Sequence, residues 1–187
     1  EDTRSARAYL QGGFKSNVAT QVAAEGEFDP ASVRLNSSSP EQKALDALKA
    51  NQRDLALQLV EEALLKAQEP SLGRLRWIAS RASRDTRNAM AYLTPLAASD
   101  HPLAPWARLR LATLIQASDP KAAADYAHPL TEPWAGRGWA RNVYALSLAK
   151  SGQADKAEPL LRELVTSSSG AQQAGEHALA LAKILES

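Results

Sequence analysis

A repeat 34 residues long is what most restricts the fold of this chain. Asp85–Leu96 (DTRNAMAYLTPL) and Asp119–Leu130 (DPKAAADYAHPL) match at one fixed offset: Asp85 with Asp119, Ala89 with Ala123, Tyr92 with Tyr126, Pro95 with Pro129 and Leu96 with Leu130. Ala157, Leu160, Leu161 and Leu164 continue the series with the Tyr and Pro replaced, and Arg74-Leu75-Arg76-Trp77 precedes Arg108-Leu109-Arg110-Leu111 by the same interval. A period of this length, made of two helical segments, is that of a tetratricopeptide-type solenoid. Such a unit cannot bury its apolar face alone and must stack on its neighbours. The expectation is an all-α, tetratricopeptide-like α-solenoid of antiparallel helix pairs.

Breakers and helical periodicity divide the chain into two parts. Residues 1–39 read as an N-terminal helical cap and linker: 3–12 and 16–25 have helix-forming composition, and Asp29-Pro30 and Asn36–Pro40 are turn residues. Residues 40–187 read as the repeats. Helices are predicted over 41–50, with Ala44, Leu45, Ala47 and Leu48 buried, and over 53–68, with Leu55, Ala56, Leu59, Val60, Ala63 and Leu64 buried. Further pairs are expected at 72–83 with 86–97, 104–117 with 120–130, and 138–150 with 154–167, followed by a capping helix at 171–185. Ser39 before Pro40 and Asp119 before Pro120 are helix-start signals. Pro95, Pro129 and Pro159 should kink or shorten the outer helices. In the fourth pair Gly152 is expected to make the turn, with Ala145 and Ala157 at the closest crossing. The turn of the third pair should differ in length by one residue.

Composition narrows function mostly by exclusion. Twenty-two basic against 21 acidic residues give a net charge of +1, so no field of one sign steers the chain to nucleic acid. Without cysteine there is no disulfide, thiolate metal site or cysteine nucleophile. No stretch approaches the roughly 20 apolar residues that span a bilayer. The start at Glu1, without Met, fits a removed signal peptide or trimming. No Gly-rich phosphate loop or catalytic motif is present, and neither a cofactor nor a metal is expected.

His101, His128 and His177 are not repeat mates and have no second histidine one turn away, so they read as structural or solvated residues. Glu61-Glu62 reads as a solvated helix edge. Arg74, Arg81 and Arg84 fall near one helical face and could meet phosphate or carboxylate, or pair with Asp85 and neighbouring Glu residues. Trp106 and Trp139 stand 33 apart, early in successive inner helices. They either line a concave groove, where two aromatic faces would grip a sugar ring or an apolar peptide side chain, or wedge between repeats. Trp77 and Trp134 read as wedges. Thr113, Gln116 and Asn142 fall near the same inner surface and are candidate hydrogen-bonding residues of that groove.

The segment Ala97–Ala112 (AASDHPLAPWARLRLA), with Trp134–Gly138 and Ala157–Arg162, resembles the helical N-terminal regions of bacterial soluble lytic transglycosylases. That resemblance covers about half of the chain. It implies an α-superhelical region that precedes a lysozyme-like domain cleaving peptidoglycan in the periplasm. The family's catalytic Glu-Ser and following Gly-Leu-Met-Gln motifs have no counterpart, since Glu186-Ser187 is the last dipeptide here. The expectation is a non-catalytic scaffold of a periplasmic lytic transglycosylase, with a glycan strand as ligand, or a free-standing adaptor binding a protein or peptide partner in the cell envelope. A chain that continues for about one domain past Ser187 would favour the first; a stop there and a preceding signal peptide, the second.

Overall fold

The computed structural model describes residues 38–132, 137–167 and 171–186. Residues 1–37 of the cap and linker expected at 1–39, and Trp134, lie outside the described residues. Among those described there are nine α-helices and no strand: α1 (Pro40–Lys49), α2 (Arg53–Leu64), α3 (Ser71–Ala82), α4 (Thr86–Ala97), α5 (Ala104–Ile115), α6 (Pro120–Ala127), α7 (Arg137–Lys150), α8 (Ala154–Ser167) and α9 (Ala171–Leu185). The chain divides into two compact units between Arg110 and Leu111, within α5. In the first, α1 packs on α2, α2 on α3 and α3 on α4, and α1 also touches α3. In the second, α6 packs on α7, α7 on α8 and α8 on α9, and α7 also touches α9.

The helix starts follow local chemistry. Ser39 caps α1 through Gln42 N–H at 3.1 Å, Asp85 caps α4 through Asn88 N–H at 2.8 Å, and Asp119 caps α6 through Ala122 N–H at 3.0 Å. Each side chain satisfies an amide that the first turn leaves without a partner. Two helix ends share one geometry. Asn51 after α1 and Gly152 after α7 have left-handed φ values of 59° and 76°. The amides beyond them reach back, Gln52 N–H to the Ala47 carbonyl at 2.8 Å and Gln153 N–H to the Leu148 carbonyl at 3.0 Å. This is the closure in which a left-handed residue lets orphaned carbonyls find donors. The α5–α6 connection, 116–119, is one residue longer than the α7–α8 connection, 151–153.

The structure departs from the periodicity in several places. Helix α2 stops at Leu64 instead of 68, because no side chain of residues 65–68 is buried to hold a further turn. Leu55, expected inside, is 45% exposed, and Ala56 and Val60 make the buried seam of α2. Pro129 shortens its helix: α6 ends at Ala127 and passes into a 3-10 turn, His128–Leu130. Pro95 and Pro159 remain within α4 and α8.

The repeat is visible as burial. Ala56 and Val60, Ala89 and Leu93, Ala123 and Ala127, and Ala157 and Leu161 are the equivalent seams of the four outer helices, and all are at most 3% exposed. Ala79, Ala112 and Ala145, spaced by 33 on α3, α5 and α7, are 0% exposed. Small side chains there allow close helix approach. In the second unit, Ala145 and Leu148 share one buried cluster with Ala157 and Leu161.

Polar groups tie the first unit together. The Glu41 carboxylate is buried, accepts a hydrogen bond from the Ser71 hydroxyl and lies 3.4 Å from Arg74 Nη2. Burial works to raise its pKa, but Ser71, a backbone amide and Arg74 outweigh it and hold the group below its ordinary value. Arg84 pairs with Asp54 at 2.6 Å on an exposed edge. Part of the arginine run is thus engaged within the unit, by Glu41 and Asp54, while Asp85 is used as a cap. Tyr92 donates to Glu61 at 2.8 Å. Burial first, then the Glu61 carboxylate, push the phenol up to about 12. Its repeat mate Tyr126 is 38% exposed.

His101 is the buried titratable group of the loop between α4 and α5. Its Nδ1 accepts from Leu103 N–H at 3.0 Å, which leaves Nε2–H to donate to the Pro70 carbonyl at 3.1 Å. Desolvation depresses its pKa below 6.5, against the raising effects of the Pro70 carbonyl and of Glu69 at 3.8 Å; Arg74 adds to the depression. The fold therefore prefers neutral His101, and the unfolded chain binds its proton more readily. Stability is fully present above the unfolded pKa and is lost as pH falls below it. Thermal melts from pH 7.5 to 5.0 should show the wild type losing stability below about 6.5. A His101→Gln variant should be less stable at pH 7.5 and nearly flat over this range.

Candidate functional site

Helix α7 carries two of the five candidate groove residues, Trp139 and Asn142. At 3.6 residues per turn, Trp139 and Asn142 fall side by side, whereas Tyr144 and Leu148 fall on another face. Trp139 and Asn142 are both half-buried. The Asn142 side-chain oxygen lies 2.6 Å from Nε2 of His177 on α9, so this amide is already engaged inside the unit. Gln116, just past α5, donates through Nε2 to the Val143 carbonyl and to Ser147 Oγ, both at 3.1 Å. Lys150 Nζ stands 3.4 Å from its side-chain oxygen. Thr113 is exposed on α5.

The structure thus brings Trp139, Asn142 and Gln116 onto or against one helix, but two of the three amide or indole side chains have intrachain roles. Trp106 is different. It lies in the first unit and is 4% exposed, so its ring faces are covered by protein and are not open to a ligand from solvent. Trp77 is equally buried at 4%. Of the two candidate groove aromatics, Trp139 keeps a partly open surface.

A second feature was not singled out by sequence. In the second unit an open depression of about 450 Å³ is lined by Ala124, Asp125, His128, Tyr144, Leu148, Gln153 and Lys156. The turn after α6 presents His128, whose ring lies against Tyr144 with centroids 5.0 Å apart and planes tilted by 50°. Lys156 Nζ is 3.1 Å from the Gln153 side-chain oxygen. The floor is apolar and the rim offers a carboxylate, an imidazole, a phenol and an ammonium. That chemistry suits holding a polar ligand by stacking and hydrogen bonds. One signal existed in the sequence: the position occupied by Ile78 and Leu111 becomes Tyr144 at the same spacing of 33. A polar aromatic in an aliphatic series marks a place where packing is not the whole reason for the residue.

Among the described residues no group of three or more His, Asp or Glu side chains is placed to hold a metal ion, and no helix is long and apolar enough to cross a membrane. Comparison with known protein families, with curated proteins and with solved structures finds no significant match.

Proposed function

We propose that this chain is a non-catalytic helical-repeat scaffold, a tetratricopeptide-like α-solenoid that serves as the superhelical region of a periplasmic peptidoglycan lytic transglycosylase. The observation that carries the scaffold reading is the regularity of the helix starts. Inner helices begin at Ser71, Ala104, Arg137 and Ala171, and outer helices at Arg53, Thr86, Pro120 and Ala154, at steps of 33 or 34 residues. Repetition at that period generates a ligand surface along successive inner helices instead of one enclosed catalytic cleft. The transglycosylase assignment rests on the resemblance carried by Ala97–Ala112 and the two shorter segments. The adaptor reading, in which the same surface takes a protein or peptide, is the alternative.

The part of that surface we assign to ligand contact is Trp139, because an aromatic face with partial exposure can stack on a sugar ring. Purified sacculi should pull down the wild-type chain. Trp139→Ala should weaken binding about tenfold, the equivalent of the upper end of an aromatic stacking contribution. The variant's melting curve must be recorded alongside, since the ring is half-buried. Failure of the folded wild-type chain to bind sacculi would exclude a glycan ligand and favour the adaptor. Release of soluble muropeptides by the purified chain would overturn the non-catalytic assignment.

A further inference from the structure

The depression lined by α6, α7 and α8 holds two charges that local structure disfavours. Asp125 stands in the last turn of α6 and Lys156 in the first turn of α8, and both line it. A helix carries a partial negative charge at its C-terminal end and a partial positive one at its N-terminal end, so each dipole works against the side chain placed there. Counted from the buried seams, the position of Lys156 is Leu55, Asn88 and Ala122 in the other outer helices, and that of Asp125 is Gln58, Ala91 and Pro159. Neither position is charged elsewhere in the series. Among the described residues Asp125 and Lys156 form no ion pair, with each other or with a third group.

Lys156 is nonetheless held in place. Its Nζ donates to the Gln153 side-chain oxygen at 3.1 Å, the Gln153 amide nitrogen donates to Ser151 Oγ at 3.2 Å, and the Ser151 hydroxyl donates to the Leu148 carbonyl at 3.1 Å. This relay ties the ammonium to the end of α7 and leaves two of its three protons for an acceptor from outside. Every group in it is uncharged, so the positive charge stays uncompensated. Ala124 and Leu148 beneath are buried at 3% and 2%. Tyr144 is half-buried, and its hydroxyl makes no hydrogen bond among the described residues, so a donor and an acceptor remain at the same surface.

We propose that the depression is a binding site for a small zwitterion, with the ligand's ammonium on Asp125, its carboxylate on Lys156 and its apolar body over Ala124 and Leu148 beside the His128–Tyr144 ring pair. The open volume of about 450 Å³ lies within the range of small-ligand sites. A ligand of one sign would meet one of the two charges as a like charge, and a neutral sugar would leave both uncompensated. A zwitterion satisfies the two together. A free amino acid and a short peptide with free termini share this chemistry. Trp139, to which glycan contact is assigned, does not line the depression, so this site and that reading stand or fall separately.

Glycyl-L-leucine and free L-leucine are the probes, titrated into the whole chain by calorimetry and by amide NMR. One of them should bind with a dissociation constant of about 1 mM or below and move the signals of Tyr144, Gln153 and Lys156. Acetylating the amino group or amidating the carboxylate of that probe should each weaken binding at least about tenfold. Asp125→Asn and Lys156→Met, both at exposed positions, should do the same and selectively: the first should not weaken the acetylated probe further, nor the second the amidated one. Tighter binding of the dipeptide would assign the site to a peptide with free termini, and tighter binding of leucine to an amino acid; either upholds the zwitterion. No binding of either probe at about 20 mM, equal affinity for blocked and unblocked forms, or NMR shifts confined to residues outside the depression would overturn the proposal.

Discussion

Replacing Gly73 with alanine is expected to cost about 3 kcal/mol and to lower the melting temperature by about 6–12 °C. A Cβ built at this position would sit 2.5 Å from Cδ2 and 2.6 Å from Cγ and Nε2 of the His101 ring. The ring cannot easily retreat, because Leu103 N–H holds Nδ1 and the Pro70 carbonyl holds Nε2. Alanine must therefore either push α3 away or break both hydrogen bonds in a buried place, where leaving polar groups unpaired costs more than the bonds themselves contribute. The signature that separates this cause from a general effect on helix propensity is coupling. Alanine favours a helix interior over glycine by up to about 1 kcal/mol, so without the clash the change should be neutral or stabilising. In a His101→Ala background the cost of Gly73→Ala should shrink to less than about 1 kcal/mol. Equal losses in both backgrounds would show that the glycine serves some other contact.

The second large effect is expected at the small-residue seam of the second unit. Ala145→Leu adds three carbons where Ala145 and Ala157 are both 0% exposed and share one cluster with Leu148, Leu161 and Ala124. The added volume lands in a fully buried helix contact, so α7 and α8 must separate or their side chains leave favoured rotamers, at about 1–3 kcal/mol. Ala91→Leu, at an exposed position of α4, should change stability by no more than about 0.5 kcal/mol. Urea unfolding followed by circular dichroism measures both. A variant at Ala145 as stable as the wild type would mean that this alanine does not lie at a close crossing.

These two positions differ in how far they could be read in advance. Ala145 and Ala157 were legible because each belongs to a series at the repeat period, and a recurring small residue on a helical face reports a close crossing wherever the helix goes. The helix starts were legible for a related reason: Ser39, Asp85 and Asp119 are caps whose hydrogen bonds span three residues, so local sequence contains the whole interaction. The seam of α2 was read less well. Leu55 and Val60 have similar hydrophobicity, and only the packing of α2 on α1 and α3 sends one outward and the other inward.

The candidate site was legible only in outline. Spacing put Trp106 and Trp139 at equivalent positions, but equivalence in register does not fix exposure, and one indole is buried while the other is half open. Asn142 lies on α7, and Gln116 hydrogen-bonds to residues of that helix. That their side chains would be engaged by His177 and by Val143 and Ser147 depends on partners 27–35 residues away. The depression around His128 and Tyr144 is formed by three elements and has no signature within any one of them.

The amino-acid sequence by itself determined the helical class, the period, the small-residue seams and the caps, because each of these is an interaction between neighbours along the chain or a pattern repeated at fixed spacing. Tertiary structure alone decided the Glu41–Ser71–Arg74 cluster and the lock of His101 over Gly73. Each depends on which helix arrives beside another, and so on distances that sequence separation does not encode. A buried carboxylate becomes stable only when a hydroxyl and a guanidinium meet it.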